Sequence, residues 1–289
     1  MDSALKNKIQ TYGEMIKFSH TVFALPFALS AVVLAWEAVP VSLWQLVWIL
    51  AAMVGARSAA MGFNRIVDAG IDSRNKRTAS RQIPSGELSV RESAVFVGVS
   101  SLIFIFSAAM LSSLCFVLSF PVLGLLLGYS YTKRFTKYCH LYLGFAISLA
   151  PVGAWIAITG SLCPGIVFLS LGLMTYIAGF DILYSCQDID FDRQEGLFSL
   201  PSRIGSRKAM QVSWILHAAF FVFLLAMHIS FDMAPVFLVF LGIIACLLVV
   251  EHKLVRPDDL SRINMAFFHM NSAVSIVLFA GVLVQSFLK

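Results

Sequence analysis

Two groups of acidic side chains stand at the ends of apolar segments, in a chain with only 16 Asp and Glu among its 289 residues. The first group is Asn64, Asp68 and Asp72 in MGFNRIVDAGID, and the second is Asp188, Asp190 and Asp192 in YSCQDIDFDRQ. Residues four apart share a helix face, so Asn64, Asp68 and Asp72 form one stripe and Asp188 and Asp192 repeat it, with Asp190 directed elsewhere. Paired carboxylates at a helix carboxyl end oppose the helix dipole and repel each other, and a cation relieves both effects. Mg²⁺ takes one or two carboxylates and completes its shell with phosphate oxygens. Two such faces are therefore suited to clamping a metal-bound diphosphate.

Carboxylates alone would repel that ligand, so the site needs basic partners as well as a metal. Lys133 and Arg134, in YSYTKRFTKY, and Lys76, Arg77 and Arg81, in the loop that begins at Asp72, can supply them; Arg binds phosphate bidentately. Arg57 lies two turns before Asn64 on the same stripe, and Asp181 stands in the same relation to Asp188 inside the apolar run YIAGFDILY. Ionisable groups at membrane depth are functional candidates by default. For Asp181, a helix-packing hydrogen bond or a pairing with Arg57 is an equally good reading. Tyr129, Tyr131 and Tyr184 offer ring faces to a developing cation, although packing is the commoner use of aromatic residues in such helices.

The elements that carry these residues are membrane helices. The chain is 59% hydrophobic, its mean hydropathy is +0.84, and 13% of its residues are charged, about half the share of a soluble domain. Apolar stretches near the ~20 residues that span a bilayer recur nine times, at 18–36, 43–63, 93–112, 114–130, 141–159, 164–184, 212–229, 234–250 and 264–287. Basic residues alternate with them. They fall before the first stretch (Lys6, Lys8, Lys17), after the second (Arg65, Arg74, Lys76, Arg77, Arg81, Arg91) and after the fourth (Lys133, Arg134, Lys137). The rest follow the sixth (Arg193, Arg203, Arg207, Lys208) and the eighth (Lys253, Arg256, Arg262), so one face holds nineteen of the 21 Lys and Arg. That bias predicts a cytoplasmic amino terminus, an external carboxyl terminus and both acidic motifs on the cytoplasmic side. The polar amino-terminal segment shows no cleavage pattern of a secretory leader. The five cysteines, at 115, 139, 163, 186 and 246, have no metal-ligand or paired spacing and read as small buried hydrophobes. His140, His217, His228, His252 and His269 likewise read as hydrogen-bonded or interfacial, and Pro26, Pro121 and Pro151 as sites of helix kinking.

Over nearly its whole length the chain resembles the UbiA family of intramembrane aromatic prenyltransferases. The resemblance rests on Arg57, Asn64, Asp68 and Asp72, on RTASRQIPSG (77–86), on YSYTKR (129–134), and on DIDFD (188–192) followed by SLPSRIG (199–205). It implies one transmembrane domain over 1–289, with nine helices around a central cavity. A cytoplasmic cap would be built from 64–92, 131–140 and 186–210, with 1–17 as a cytoplasmic amino-terminal segment. It implies Mg²⁺ and the diphosphate of a polyprenyl donor held by Asn64, Asp68, Asp72, Asp188 and Asp192, with Lys133 and Arg134 on phosphate oxygens. The expected partners are a polyprenyl diphosphate, an aromatic acid and the lipid bilayer, not a nucleic acid, and the expected location is the cell inner membrane. Two departures bear on the acceptor: Asn64 is followed by Arg65 where many relatives have Asp, and Ser19 and His20 stand where the best-known hydroxybenzoate enzymes have Asp-Lys-Pro. The acceptor is accordingly 4-hydroxybenzoate or, as in another branch, a dihydroxynaphthoate. An ion-coupled transporter is the contrasting reading. Transporter sites sit near the bilayer midplane at broken helices, whereas these motifs lie at one membrane face beside basic groups.

Overall fold

The computed structural model describes the backbone of residues 3–289, and side chains from Lys8 onward except at 9, 18–20 and 267. The side chains of Lys6, Ser19 and His20 thus lie outside the described residues. Every element among the described residues is helical, apart from one isolated bridge between Arg256 and Asp259. In order they are α1 (Ser3–Met15), a 3₁₀ segment (Phe18–Phe23), α2 (Leu25–Trp36), α3 (Leu43–Asp72), α4 (Val90–Leu111), α5 (Ser113–Thr132), α6 (Cys139–Thr159) and α7 (Pro164–Ser185). A 3₁₀ turn (Cys186–Asp188) leads into α8 (Ile189–Gln194), α9 (Leu200–Ile204), α10 (Ser206–Ser230) and α11 (Phe237–Leu254). The chain ends with α12 (Ile263–Met265), one π-helical turn (Ala266–Met270) and α13 (Asn271–Ser286).

Eight helices among the described residues are long and apolar enough to cross a bilayer, and the chain is an all-α, multi-span membrane protein. The sequence predicts nine spans. The difference lies in the stretch 18–36, which starts as 3₁₀ helix, so its apolar helix at Thr21–Trp36 is shorter than the other eight. Pro26 is part of the reason. It occupies the first turn of α2, where a missing N–H costs nothing, and so it starts a helix instead of kinking one. Pro121 and Pro151 do lie inside helices, in α5 and α6. The stretch 64–92, expected as a cap loop, is helical as far as Asp72.

Two compact units are formed. The first comprises Met1–Thr21 and Leu46–Tyr131. Here α3 and α4 approach closely at Gly55, where a Cβ would stand 2.7 Å from the Phe104 backbone nitrogen, so any larger residue would push the two helices apart. The amino end of α4 carries a reciprocal capping box between Ser89 and Glu92. Tyr12 of α1 stacks on Phe96 of α4 with centroids 4.8 Å apart, and Arg65 of α3 donates from Nε to the Met15 carbonyl at 3.1 Å. That carbonyl belongs to the last turn of α1, where carbonyls lack intrahelical partners.

The second unit comprises Val22–Gln45 and Thr132–Lys289. Its centre is α7, which packs against α6 and α10 and buries Ile166, Leu169, Leu173, Tyr176 and Ile177 completely. Small residues permit this closeness, as is usual where lipid supplies no hydrophobic drive between helices. At Gly144 of α6 a Cβ would collide with the Met174 carbonyl of α7. Polar side chains add specific links. Tyr176 Oη donates to Asn271 Oδ1 at 2.7 Å, Ser213 Oγ to the Gly179 carbonyl at 2.7 Å, and Ser275 Oγ to the Phe23 carbonyl at 3.1 Å.

Candidate active site

In the first unit α3 is unbroken through Asp72, so Asn64, Asp68 and Asp72 do form a stripe on its last turns. Asp68 and Asp72 are only 2% and 4% exposed, and Arg65, one turn before Asp68, 5%. Burying charge at this level requires compensation. Asn64 Nδ2 donates to Asp68 Oδ2 at 3.0 Å, leaving the Asn64 carbonyl oxygen as an acceptor. Arg81 Nη1 donates to Asp72 Oδ2 at 2.6 Å, and Thr78 Oγ1 donates to the Asp72 carbonyl at 3.1 Å, closing the end of α3 onto the RTASR loop.

Cations exceed acids around this pair. Arg65 lies within charge range of Asp68, Asp72, Arg77 and Arg81, and Lys17 within range of Arg65, Arg77, Arg81 and Glu14. Burial, then the positive fields of Arg65 and Arg81, push the Lys17 ammonium below its ordinary value, with Glu14 opposing. Such a self-repelling cluster is relieved by a bound polyanion. Arg57 Nη2 donates to the Lys17 carbonyl at 3.0 Å. Its Nε is buried with no hydrogen-bond partner among the described residues. Arg57 and Arg65 thus both hold the end of α1, a function that their positions in the sequence do not announce. Tyr131, half exposed, sets its ring edge-to-face against Phe63 of α3 at 6.0 Å, and Tyr129 is half-buried.

In the second unit the acidic stripe crosses a change of helix type. Asp188 closes the 3₁₀ turn and Asp192 sits in the short α8 that follows it, so a change of helix type, with more rotation per residue than an α-helix has, separates Asp188 from Asp181 on α7. Asp192 is 9% exposed, Asp188 is half-buried and Asp190 is exposed. Around Asp192 stand the Ser199 hydroxyl, Asp188, Lys133 and His140. The Lys133 carbonyl accepts from Phe198 N at 2.7 Å, and the Asp192 carbonyl from Leu197 N at 2.8 Å. Those two bonds tie the YSYTKR and DIDFD segments to the same turn. Arg134 is exposed and Tyr184 half-buried.

Asp181 is engaged by a residue that spacing arguments pass over. His140 Nδ1 lies 2.7 Å from Asp181 Oδ2, and His140 Nε2 accepts from Leu200 N at 3.2 Å. Because Nε2 accepts, the ring proton is on Nδ1 and is donated to the carboxylate. The buried His140 therefore links α7 to the start of α9, next to the Ser199 that faces Asp192. The only sequence signal for this was a histidine and an aspartate each inside an apolar segment, 41 residues apart.

Among the described residues, no three His, Cys, Asp or Glu side chains form a ready metal cluster. The donors nevertheless suit Mg²⁺: they are hard oxygens, with two carboxylates and an amide oxygen in one unit and two carboxylates in the other, and this ion draws its remaining ligands from phosphate and water.

An all-helical membrane protein with a buried carboxylate motif in each of its two units, both beside basic groups, has the parts of an intramembrane enzyme acting on a polyanionic substrate. Residues 24–273 match the UbiA prenyltransferase family, and the chain belongs to it and is a prenyltransferase. The 4-hydroxybenzoate octaprenyltransferase of Nitrosomonas eutropha is 29% identical over 255 residues, covering 88% of this chain and 87% of that protein. The 4-hydroxybenzoate octaprenyltransferase of Dechloromonas aromatica is 25% identical over 285 residues, covering 98% and 96%. Among solved structures, the apo form of a UbiA homolog from Aeropyrum pernix K1 superposes with a TM-score of 0.82 at 32% identity, covering 92% of this chain and 97% of that one.

Proposed function

We propose that this enzyme transfers a polyprenyl group from polyprenyl diphosphate to an aromatic acid, 4-hydroxybenzoate in the first instance, in a Mg²⁺-dependent reaction at the cytoplasmic face of the cell inner membrane. The observation that carries this reading is the buried Asp68 and Asp72 pair set among Lys17, Arg65, Arg77 and Arg81, an acid-and-base mixture suited to a metal diphosphate and excessive for a metal alone. The name borne by the relatives in Nitrosomonas and Dechloromonas supports 4-hydroxybenzoate over a dihydroxynaphthoate.

Asn64, Asp68 and Asp72, together with Asp188 and Asp192, would hold Mg²⁺; the ion, when bound, would withdraw charge from the diphosphate. Arg77, Arg81, Lys133 and Arg134 bind phosphate oxygens that gain charge as the allylic C–O bond breaks and its electron pair leaves with the diphosphate. The allylic carbon becomes cation-like, an electron-rich ring carbon of the acceptor bonds to it, and the ring then releases a proton. Apolar helices exclude the water that would otherwise capture the cation. Tyr129, Tyr131 and Tyr184 present π faces to it.

The test is to supply purified protein with Mg²⁺, a polyprenyl diphosphate, and 4-hydroxybenzoate or dihydroxynaphthoate in parallel, and to weigh the products. Prenylated 4-hydroxybenzoate is expected. Prenylated dihydroxynaphthoate alone would transfer the proposal to the other acceptor, and no Mg²⁺-dependent product with either would remove it.

A further inference from the structure

Away from both acidic motifs, a cavity of about 410 Å³ opens between the start of α10 and the end of α11. Arg207, Gln211 and Trp214 line one side of it, and His252, Val255 and Arg256 the other. Its surface is mainly apolar, with the two arginines at one end. Both are exposed, and neither guanidinium has a hydrogen bond or ion pair among the described residues. The same end holds the amino terminus of α10, a 25-residue helix with no side-chain cap, whose first N–H groups add partial positive charge. Of the nearby acids, Asp259 accepts through Oδ1 from Ser261 N at 3.0 Å and lies within charge range of both Arg256 and Arg262, and Glu251 is buried. The wall is stiff. Trp214 lies 5.4 Å from the His252 ring, and His252 Nε2 is 2.9 Å from Nδ1 of the buried His217.

We infer that this cavity binds one anionic phospholipid, with its phosphate between Arg207 and Arg256 and an acyl chain along the apolar wall beside Trp214. Two features select a lipid over a free anion. The cationic end lies at the membrane face that carries the basic loops, where anionic headgroups reside, and the apolar wall has no use for inorganic phosphate. A tryptophan at that depth suits the interfacial zone of a bilayer.

The test uses the full chain in detergent, with phosphatidylglycerol binding measured by native mass spectrometry, and with phosphatidylethanolamine and inorganic phosphate as separate arms. Selective one-to-one retention of phosphatidylglycerol is expected. R207Q/R256Q should bind it ~30-fold more weakly and each single variant ~5-fold, from the usual worth of a basic residue at a lipid surface. K208Q/K253Q removes the same charge from neighbours that do not line the cavity, and should retain the lipid. Equal losses in the two double variants would reduce the effect to general attraction and overturn the site. So would equal retention of phosphatidylethanolamine, or displacement of the lipid by millimolar phosphate.

Discussion

The two acidic motifs have similar spacing and are built in opposite ways. The first is local. Asp68 and Asp72 sit on one uninterrupted helix, and the cation that pairs with Asp72 comes from the loop nine residues on, as Arg81. The second is assembled from distant pieces. Asp188 and Asp192 straddle a change of helix type, and their surroundings are drawn from Lys133, His140 and Ser199 on three other segments. A local site tolerates strain elsewhere, because its own helix carries the geometry. A site assembled from several segments depends on each tie between them, so the two motifs should fail differently.

The largest effect should come from the carboxylates themselves. Asp68→Asn and Asp188→Asn are each expected to lower kcat/KM by ~100- to 1,000-fold with the thermal midpoint nearly unchanged, as checked by product mass and a melting curve. Near-full activity in either would remove that motif from the site. Arg81→Gln comes next. It leaves the buried Asp72 without its charged partner, and ~10-fold or more should be lost from kcat/KM, chiefly as a higher KM for the diphosphate. A pure stability loss with unchanged kinetics would show that Arg81 only closes the loop.

For the assembled motif, His140→Ala removes the link between Asp181 and Leu200 N, and ~1–3 kcal/mol of stability should go with it. The apparent Mg²⁺ requirement should also rise. If stability falls while the Mg²⁺ dependence stays as in the wild type, His140 packs helices without positioning Asp192. Asp190→Asn should do least. Its carboxylate is exposed, so activity is expected within ~2-fold of wild type, in line with the small effects of surface substitutions; a large loss would mean that Asp190 turns inward when substrate binds.

The same contrast explains what could be read from the sequence. Helix class, the membrane character and the stripe at Asn64, Asp68 and Asp72 follow from hydropathy and a four-residue period, because α3 keeps that period through Asp72. The 3₁₀ turn at Cys186–Asp188 has no glycine or proline to mark it, so a regular continuation was the natural reading. Hydropathy marks 18–36 as one apolar stretch, and nothing in it announces that its opening residues form 3₁₀ helix ahead of Pro26. Arg57 is legible as a charge at membrane depth, and Arg65 as one of the basic residues that follow the second apolar stretch. That they clasp the carbonyls of Lys17 and Met15 depends on how α1 folds back, which no spacing encodes. The tie from His140 to Asp181 is hidden for the same reason.

The most direct test is of the claim that both motifs grip a single diphosphate. Calorimetric titration of the purified protein with an unreactive thiolodiphosphate analogue of the donor, in the presence of Mg²⁺, would give its stoichiometry in the wild type, Asp68→Asn and Asp192→Asn. One site per chain is expected in the wild type, with Mg²⁺-dependent binding lost in both variants. Two sites in the wild type, with each variant retaining one, would mean that the motifs bind separately and would contradict a shared active centre.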